Sequence, residues 1–550
     1  MNRFSIGRGG CRARAAAVVA MACALGLLPV HAAGVTRPTR ADARSDVARF
    51  RARVDAILSG ANASRSYWGI LVADRDTGET LYSLNADHYF TPASNAKLIV
   101  TAMALADLGP DYRFRTTLES DGTLGADGRL SGDLILVGRG DPDISNRTFP
   151  FAGEFARQGA IDKVYSDMVE AAVSKGLREV DGDVVADDSY FPYDPYPAGW
   201  SVGDLFFDFG VPVSAITFND NVVSIMIQPG ARPGDPAVLT TEPSASLETL
   251  AQAVTTSAPG EMSQIAVVRQ PGSNFLLLRG TIPVGHAPVK LDLAMIAPAE
   301  TAARDIKDLL EARGVRVTGG IRVRHSAPPE TTAAGEPVLP IADARPDTHR
   351  TVLAEHMSPP LHESVQLTDK ISQNLHAEIF LRMVGREKLG LASTAAGLKV
   401  ERAFLGSAGV SDGDVVLSDG SGLSRDDLVT PRAMVNLLRY ASRAPWAQEY
   451  LSSLPISGVD GTLADRMRNS PATGLIEAKT GATERVHALT GYATTVRGEY
   501  LVFSIFRNNN TQRGADATKP VDDIATAMVE MLGPVPAISR PARTKRAGEQ

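Results

Sequence analysis

Thr91-Pro92-Ala93-Ser94-Asn95-Ala96-Lys97, followed by the apolar run Leu98-Ile99-Val100-Thr101-Ala102-Met103-Ala104-Leu105, is the stretch from which the rest of the chain is read. Threonine before proline predicts a helix start, because the hydroxyl can cap and proline fits the first helical position without wasting a donor. Ser94 then falls in the first turn and Lys97 one turn further on, so the amine can reach the hydroxyl. A serine there also sits among backbone N–H groups that have no intrahelical partner and that stabilise developing negative charge. These residue types at this spacing suit an acyl-transfer nucleophile with lysine as its base. A plain helix start with an exposed lysine has the same pattern, so the weight of the motif comes from its surroundings.

Just upstream, Trp68 to Asp74 and Thr80 to Ser83 alternate as short strands joined by Asp76-Thr77-Gly78-Glu79, a hairpin signal that sets the Ser94 helix beside a sheet. After Asp111 the texture changes to short strands with Gly-Asp turns, such as Leu130 to Val137, with helices between. Met168 to Leu177 leads to Gly182-Asp183-Val184-Val185, and Ile306 to Val315 leads to Gly319-Gly320-Ile321-Arg322-Val323, each a helix stopped by glycine and followed by a strand. This echo predicts paired α/β units in one inserted region. Ser326 to Asp347, rich in proline, alanine and threonine, reads as the linker back to the first domain. Apolar positions at Leu361, Val365 and Thr368, then at Leu375, Ile379 and Met383, mark two helices with Ser372-Gln373-Asn374 between them. Leu475 to Lys479, Val486 to Thr494 and Tyr500 to Arg507 alternate as strands, and Val521, Ile524, Met528 and Met531 give the face of a closing helix.

The 550 residues, 44% hydrophobic and 22% charged, exceed what one core needs, so two or three domains are expected. Arg3, Arg8, Arg12 and Arg14 precede the apolar run Ala15 to Val30, with small residues up to Ala33, which is the pattern of a secretory signal peptide over residues 1–32. That run is short for a membrane span, and no second one follows, so no transmembrane segment is expected in the mature chain. Cys11 and Cys23 both fall inside the signal, leaving no disulfide, thiolate metal site or cysteine nucleophile. Loss of four arginines and no acid moves the formal charge from −7 to −11, which argues against a nucleic-acid partner. The nine histidines show no His-Glu-x-x-His spacing, and no Gly-x-Ser-x-Gly elbow is present. Arg139-Gly140-Asp141 reads as a turn, and Asn62-Ala63-Ser64 and Asn146-Arg147-Thr148 are glycosylation patterns of little weight here.

Three short motifs thus stand in order: Ser94-x-x-Lys97, Ser372-Gln373-Asn374 and Lys479-Thr480-Gly481. The first opens a helix, the second joins two helices and the third ends a strand. This set resembles the penicillin-recognising serine acyltransferases, whose three motifs line one cleft between a helical region and a five-stranded sheet. Asp419-Gly420-Ser421-Gly422-Leu423-Ser424-Arg425, Leu454-Pro455 with Gly461-Thr462-Leu463, Gly140-Asp141-Pro142, and Asp187-Asp188-Ser189 with Phe191 narrow the likeness to the D-alanyl-D-alanine carboxypeptidase/endopeptidase group related to penicillin-binding protein 4. That group carries a large insertion between its first two motifs, and here the gap is 278 residues (372 − 94). The likeness runs from about residue 50 to about residue 530.

The resemblance implies an α/β (α+β) transpeptidase-like fold: a five-stranded antiparallel sheet with helices, formed by residues 33–115 and 345–535, around an inserted α/β region of one or two modules at 116–344, with a mobile tail at 536–550. It implies a periplasmic hydrolase that removes D-alanine from peptidoglycan stem peptides, and by the same chemistry cleaves crosslinks, through an acyl-enzyme that β-lactams also form. Neither metal nor organic cofactor is implied. Ser94 would attack, Lys97 accept its proton, Ser372 relay a proton to the leaving amine, and Asn374 hold the acyl side. Lys479 and Thr480 would hold the terminal carboxylate, Gly481 belongs to the same strand motif, and the N–H groups of Ser94 and Ala482 would form the oxyanion hole. The family usually has a hydroxyl residue where Ala482 stands, so that contact is absent or passes to Thr483. Lys479 and burial are expected to lower the Lys97 pKa together. Asp187 and Arg425 match an aspartate and an arginine that line the family's pocket for a zwitterionic side-chain end; a salt bridge between insertion and catalytic domain is the other reading of the pair. A β-lactamase or esterase on the same fold is the rival enzyme, disfavoured by the long insertion and the lack of a Tyr-x-Asn motif. A non-catalytic wall-binding protein is the rival outside enzymes, disfavoured by a nucleophile and base one turn apart. The sequence sets no oligomeric state.

Overall fold

The computed structural model describes residues 44–531, apart from 245, 247, 271–272, 329, 331, 333–337 and 339–348. The expected signal peptide, most of the linker and the tail lie outside the described residues.

The first hairpin forms where the alternation placed it. Tyr67–Asp74 (β1) and Thr80–Leu84 (β2) pair antiparallel, and Asp74 closes the turn by accepting from the Thr77 N–H at 2.6 Å and the Asp76 N–H at 3.1 Å. Ile476–Thr483 (β3), Val486–Thr494 (β4) and Tyr500–Asn508 (β5) complete an antiparallel sheet in the order β2-β1-β5-β4-β3. Trp68 to Ala73 are buried on both faces of β1, because helices cover the sheet on each side. The helices Ser45–Leu58 and Ala515–Val529 bring Phe50, Val54, Ile524 and Met528 against Ile70, Val72, Leu489 and Phe503. On the opposite face Ile99 and Met103 of the helix Lys97–Asp107 join Leu71, Ala488 and Phe506. The edge strand β3 therefore borders the helical half of the molecule, which is where a cleft between sheet and helices has to open.

The inserted region has its own core. Its main sheet runs Ile321–Ser326, Val184–Pro192, Leu134–Val137, Arg115–Ser120, Thr351–Met357, backed by the helices Lys163–Ser174 and Pro298–Ala312. The two helix-glycine-strand echoes lie side by side here: Ile321 pairs parallel with Val184 and Arg324 with Asp187, each 137 residues apart. The region reaches Met357, beyond the expected boundary at 344, because Thr351–Met357 pairs antiparallel with Arg115–Ser120 and shuts the sheet where the chain entered it. A second unit between Val222 and Ala294 is built from two three-stranded sheets with no helix among the described residues, so only the first unit has the expected α/β character. Gln264–Arg269 alternates exposed and half-buried residues up to Val268, as suits a thin β layer, whereas Val222–Gln228 is mostly buried.

Candidate active site

Ser94 does not sit in an α-helical turn capped by Thr91. Pro92 leads into a 3₁₀ turn, Ala93–Ala96, with no side-chain cap, and the α-helix begins at Lys97. Ala93 has φ +49°, a left-handed conformation costly for a residue with a Cβ, so the chain kinks immediately before Ser94. The kink is locked from outside: Gly422 (φ +79°) lies so close that a Cβ there would be 1.9 Å from the Ala93 carbonyl oxygen. Ser94 stays half-buried and reachable, while Lys97 is fully buried.

Lys97 Nζ has three partners. Asn374 Oδ1 at 2.6 Å and the Ser421 carbonyl at 2.7 Å can only accept, so they take two N–H bonds. The remaining tetrahedral position faces Ser94 Oγ at 3.0 Å, and in the neutral amine that position is the lone pair. The Asn374 amide is fixed in this orientation because its Nδ2 donates to the Phe209 carbonyl at 2.7 Å. Ser372, with φ +64°, ends the helix Leu361–Ile371, and the Gln373 side chain caps the helix Asn374–Leu389 by accepting from Leu375 N–H at 3.1 Å. Ser372 Oγ accepts from Lys479 Nζ at 2.9 Å, so the three motifs meet at two lysine–serine pairs.

Burial pushes Lys97 down to about 8, against the opposing pull of Asp419, Glu378 and Asp369. Lys479 is pushed down to about 7, first by burial and then by the Lys97 charge. Burial is thus the main cause at Lys97, and the repulsion between the ammonium groups is felt at Lys479. The sequence reading missed Asp369, a buried carboxylate held by Ser453 Oγ at 2.8 Å and raised to about 6 by burial, which serves both lysines as counter-charge. It stands four residues after Val365 on the buried stripe, a position where an acid is out of place. Glu378, one turn after Asn374, was missed too: it accepts from the N–H groups of Gly420 and Ser421 at 3.0 and 2.8 Å and so aims the Ser421 carbonyl at Lys97. Asp419 completes that loop by accepting from Gly422 and Ser424 N–H at 2.7 and 2.8 Å.

On β3, Thr480 Oγ donates to Thr462 Oγ at 2.8 Å, and the buried Gly481 lets the strand pass close to the Pro92 carbonyl. Strand alternation puts Ala482 on the face of Thr480 and Thr483 on the other, so the missing hydroxyl is not replaced by its neighbour.

Asp187 and Arg425 do not form a pair. Asp187 is buried inside the inserted sheet, bound by Arg324 at 3.0 Å and Arg350 at 3.4 Å. Arg425 pairs instead with Asp204 at 3.2 Å, from the loop that also carries Phe209. That loop crosses from the inserted region onto the site, where Trp200 Nε1 donates to Asp419 at 2.7 Å and the Gly199 carbonyl accepts from Arg425 N–H at 3.1 Å. Among the described residues no cluster of His, Asp and Glu side chains is arranged to hold a metal ion, and no helix is long and apolar enough to cross a membrane.

The sheet, its helical partner and the large insertion define a penicillin-binding-protein/serine β-lactamase-like transpeptidase fold. Within that class the chain belongs to the D-Ala-D-Ala carboxypeptidase 3 (S13) family, whose family model matches residues 50–528. It is 34% identical over 539 residues to a D-alanyl-D-alanine carboxypeptidase of Actinomadura sp., covering 96% of this chain and 92% of that one. It is 26% identical over 444 residues to D-alanyl-D-alanine carboxypeptidase DacB of Haemophilus influenzae, covering 80% and 85%. The crystal structure of penicillin binding protein 4 from Haemophilus influenzae superposes with a TM-score of 0.70 at 24% identity, over 86% of this chain and 98% of that chain, a likeness of fold. At the level of the family, the chain is a serine-type D-Ala-D-Ala carboxypeptidase/endopeptidase acting on peptidoglycan.

Proposed function

We propose that Ser94 is the nucleophile of a D-Ala-D-Ala carboxypeptidase that works through an acyl-enzyme on stem peptides outside the cytoplasmic membrane. The observation that carries this reading is the environment of Lys97 Nζ, whose two acceptor partners leave its lone pair facing Ser94 Oγ. Ser94 gives its proton to neutral Lys97 as Oγ bonds to the carbonyl carbon of the penultimate D-alanine. The C–N bond then breaks, the leaving amine takes a proton from Ser372, and Lys479 restores it across the 2.9 Å contact. Water then attacks the acyl carbonyl and gives its proton to the now neutral Lys479, and the ester C–O bond breaks as protonated Lys97 returns a proton to Ser94 Oγ, which restores both lysines and the serine to their starting states. The terminal carboxylate docks at Lys479 and Thr480 and favours the charged form of Lys479, which keeps Lys97 neutral. The N–H groups of Ser94 and Ala482 take the oxyanion. Asp204, not Asp187, faces Arg425, so these two supply one partner of each sign for a zwitterionic side-chain end. Export rests on the arginine-led apolar segment before Ala33.

Titration with a fluorescent penicillin tests the reading. A stable one-to-one adduct and D-alanine release, both lost in Ser94→Ala with the fold intact, are expected. Rapid penicillin turnover would make the protein a β-lactamase instead, no adduct would make it a binder, and labelling that persists in Ser94→Ala would place the nucleophile elsewhere.

A further inference from the structure

The second unit of the inserted region turns a polar sheet face towards the first, and a cavity of about 540 Å³ lies between them. Strand register sets that face. Ser224 stands opposite Glu242 and Asp292, and Met226 opposite Thr240 and Lys290, so these six side chains share one side of the sheet formed by Val222–Gln228, Val238–Glu242 and Val289–Ala294. Val223, Ile225 and Ile227 go to the other side, into the core. Across the cavity stand Ile161 and Asp162, at the start of the helix Lys163–Ser174, and Asp305 of the helix Pro298–Ala312. Asp305 is 8% exposed, yet its carboxylate has neither a hydrogen bond nor an ion pair among the described residues, and its Oδ2 is buried. A buried carboxylate in that state is rare, because it loses its hydration without a compensating bond. Asp162 and Glu242 line the same cavity and likewise have no cationic partner among the described residues. Lys290, the cation in the lining, is already bound to Asp292 at 3.0 Å. The unpaired charge is therefore all negative, and the carboxylates are not grouped so as to hold a metal ion.

We propose that this cavity is a binding site for a primary ammonium on a hydroxylated carrier, the chemistry of an amino sugar whose nitrogen is not acylated. An ammonium has three N–H donors and no acceptor, which matches a cavity whose unpaired groups are carboxylates. The carrier meets the hydroxyls of Thr240 and Thr241 and the apolar side chains of Ile161 and Met226, a mixed lining that suits the hydroxyl and C–H faces of a sugar ring. An acylated nitrogen carries no charge and leaves the carboxylates unmatched, so the site separates a free amine from an acetamide. Burial, with Asp162 and Asp308 nearby, raises Asp305 to about 8, and below that pH it pairs with an ammonium only by releasing its proton. Glu242, Lys290 and Asp292 are the charged groups on the facing sheet, and Tyr165 is the titratable neighbour on the helix Lys163–Ser174. No residue lining the cavity belongs to the three motifs, so the site is separate from the catalytic cleft and independent of the acyl-enzyme chemistry.

The test is calorimetric titration of the wild-type protein with glucosamine and, as the matched ligand without the charge, N-acetylglucosamine, at about pH 6.5, where Asp305 still carries its proton. Glucosamine should bind at least tenfold more tightly. Its binding enthalpy should change with the ionisation enthalpy of the buffer as expected for release of about one proton per glucosamine bound. Neither measurement needs a variant to fold. Asp305→Asn should weaken glucosamine at least tenfold and abolish the proton release, while the rate of penicillin acylation stays as in the wild type. Equal affinity for the two sugars, no binding of either, or proton release that persists in Asp305→Asn would each overturn the site and leave the catalytic assignment untouched.

Discussion

A lysine in water is protonated at neutral pH, so Lys97 can accept the Ser94 proton only if the protein disfavours its charged form. Full burial does this and brings Lys97 down to about 8, while Asp419, Glu378 and Asp369 keep it from falling further. The sign of the pH dependence follows. Below about 8 the neutral fraction grows tenfold per pH unit, and above it the fraction saturates. Because Lys97, at about 8, has to be neutral and Lys479, at about 7, has to carry its proton, acylation by penicillin, measured as a second-order rate constant, should climb with unit slope from about pH 5 to about 7, stay level to about 8 and fall above it. A flat profile from about pH 5 to about 7 would mean that another group is the base. Lys97→Ala should lower the same rate constant on the order of a hundredfold or more, as expected for loss of a general base.

At the scale of elements, the irregular segment from Tyr193 to Val213 ties the inserted region to the site. It supplies the Phe209 carbonyl to Asn374, Trp200 to Asp419 and Asp204 to Arg425. Asp204→Asn should reduce hydrolysis of a peptide with a free zwitterionic side-chain end far more than that of a diacetylated tripeptide, with little change in melting temperature. Asp187→Asn should do the reverse: it leaves Arg324 and Arg350 without their shared carboxylate, so the melting temperature falls and both substrates are affected alike. If Asp187→Asn were the selective variant, the assignment of the pair would be wrong. The contrast also marks what was legible in the sequence. The strands of the catalytic sheet and the helices around Ser372 were readable because their apolar spacing has a period, and the three motifs sit at the ends of those elements. The partner of Arg425 was not, because Asp204 lies in a segment with no period, and the neutralisation of Asp187 depends on a register between strands 137 residues apart. Asp369 and Glu378 lay on periodic helices, and their burial could have been read from their place on the apolar stripe.

At the scale of the whole molecule, the catalytic sheet is assembled from both ends of the chain, and the helix Ala515–Val529 closes it by burying Val521, Ile524 and Met528. These three side chains contribute on the order of 5–9 kcal/mol by area removed from water, which rivals the roughly 5–15 kcal/mol that hold an ordinary domain folded. The inserted region depends on that helix for none of its core, which is built from residues such as Leu118, Tyr165, Val184, Ile306 and Leu353. Its two ends also meet, since Arg115 pairs with Met357. A chain ending at Gly514 should therefore lose its catalytic half and keep its insertion. Fluorescent penicillin should no longer label it, and limited proteolysis should leave a resistant fragment whose N-terminus, identified by mass spectrometry, falls between Asp111 and Ser120. Uniform digestion with no such fragment would mean that the insertion cannot stand without the sheet that carries it. Labelling at the wild-type rate would mean that the closing helix is dispensable, and the division of the molecule into two cores would be wrong.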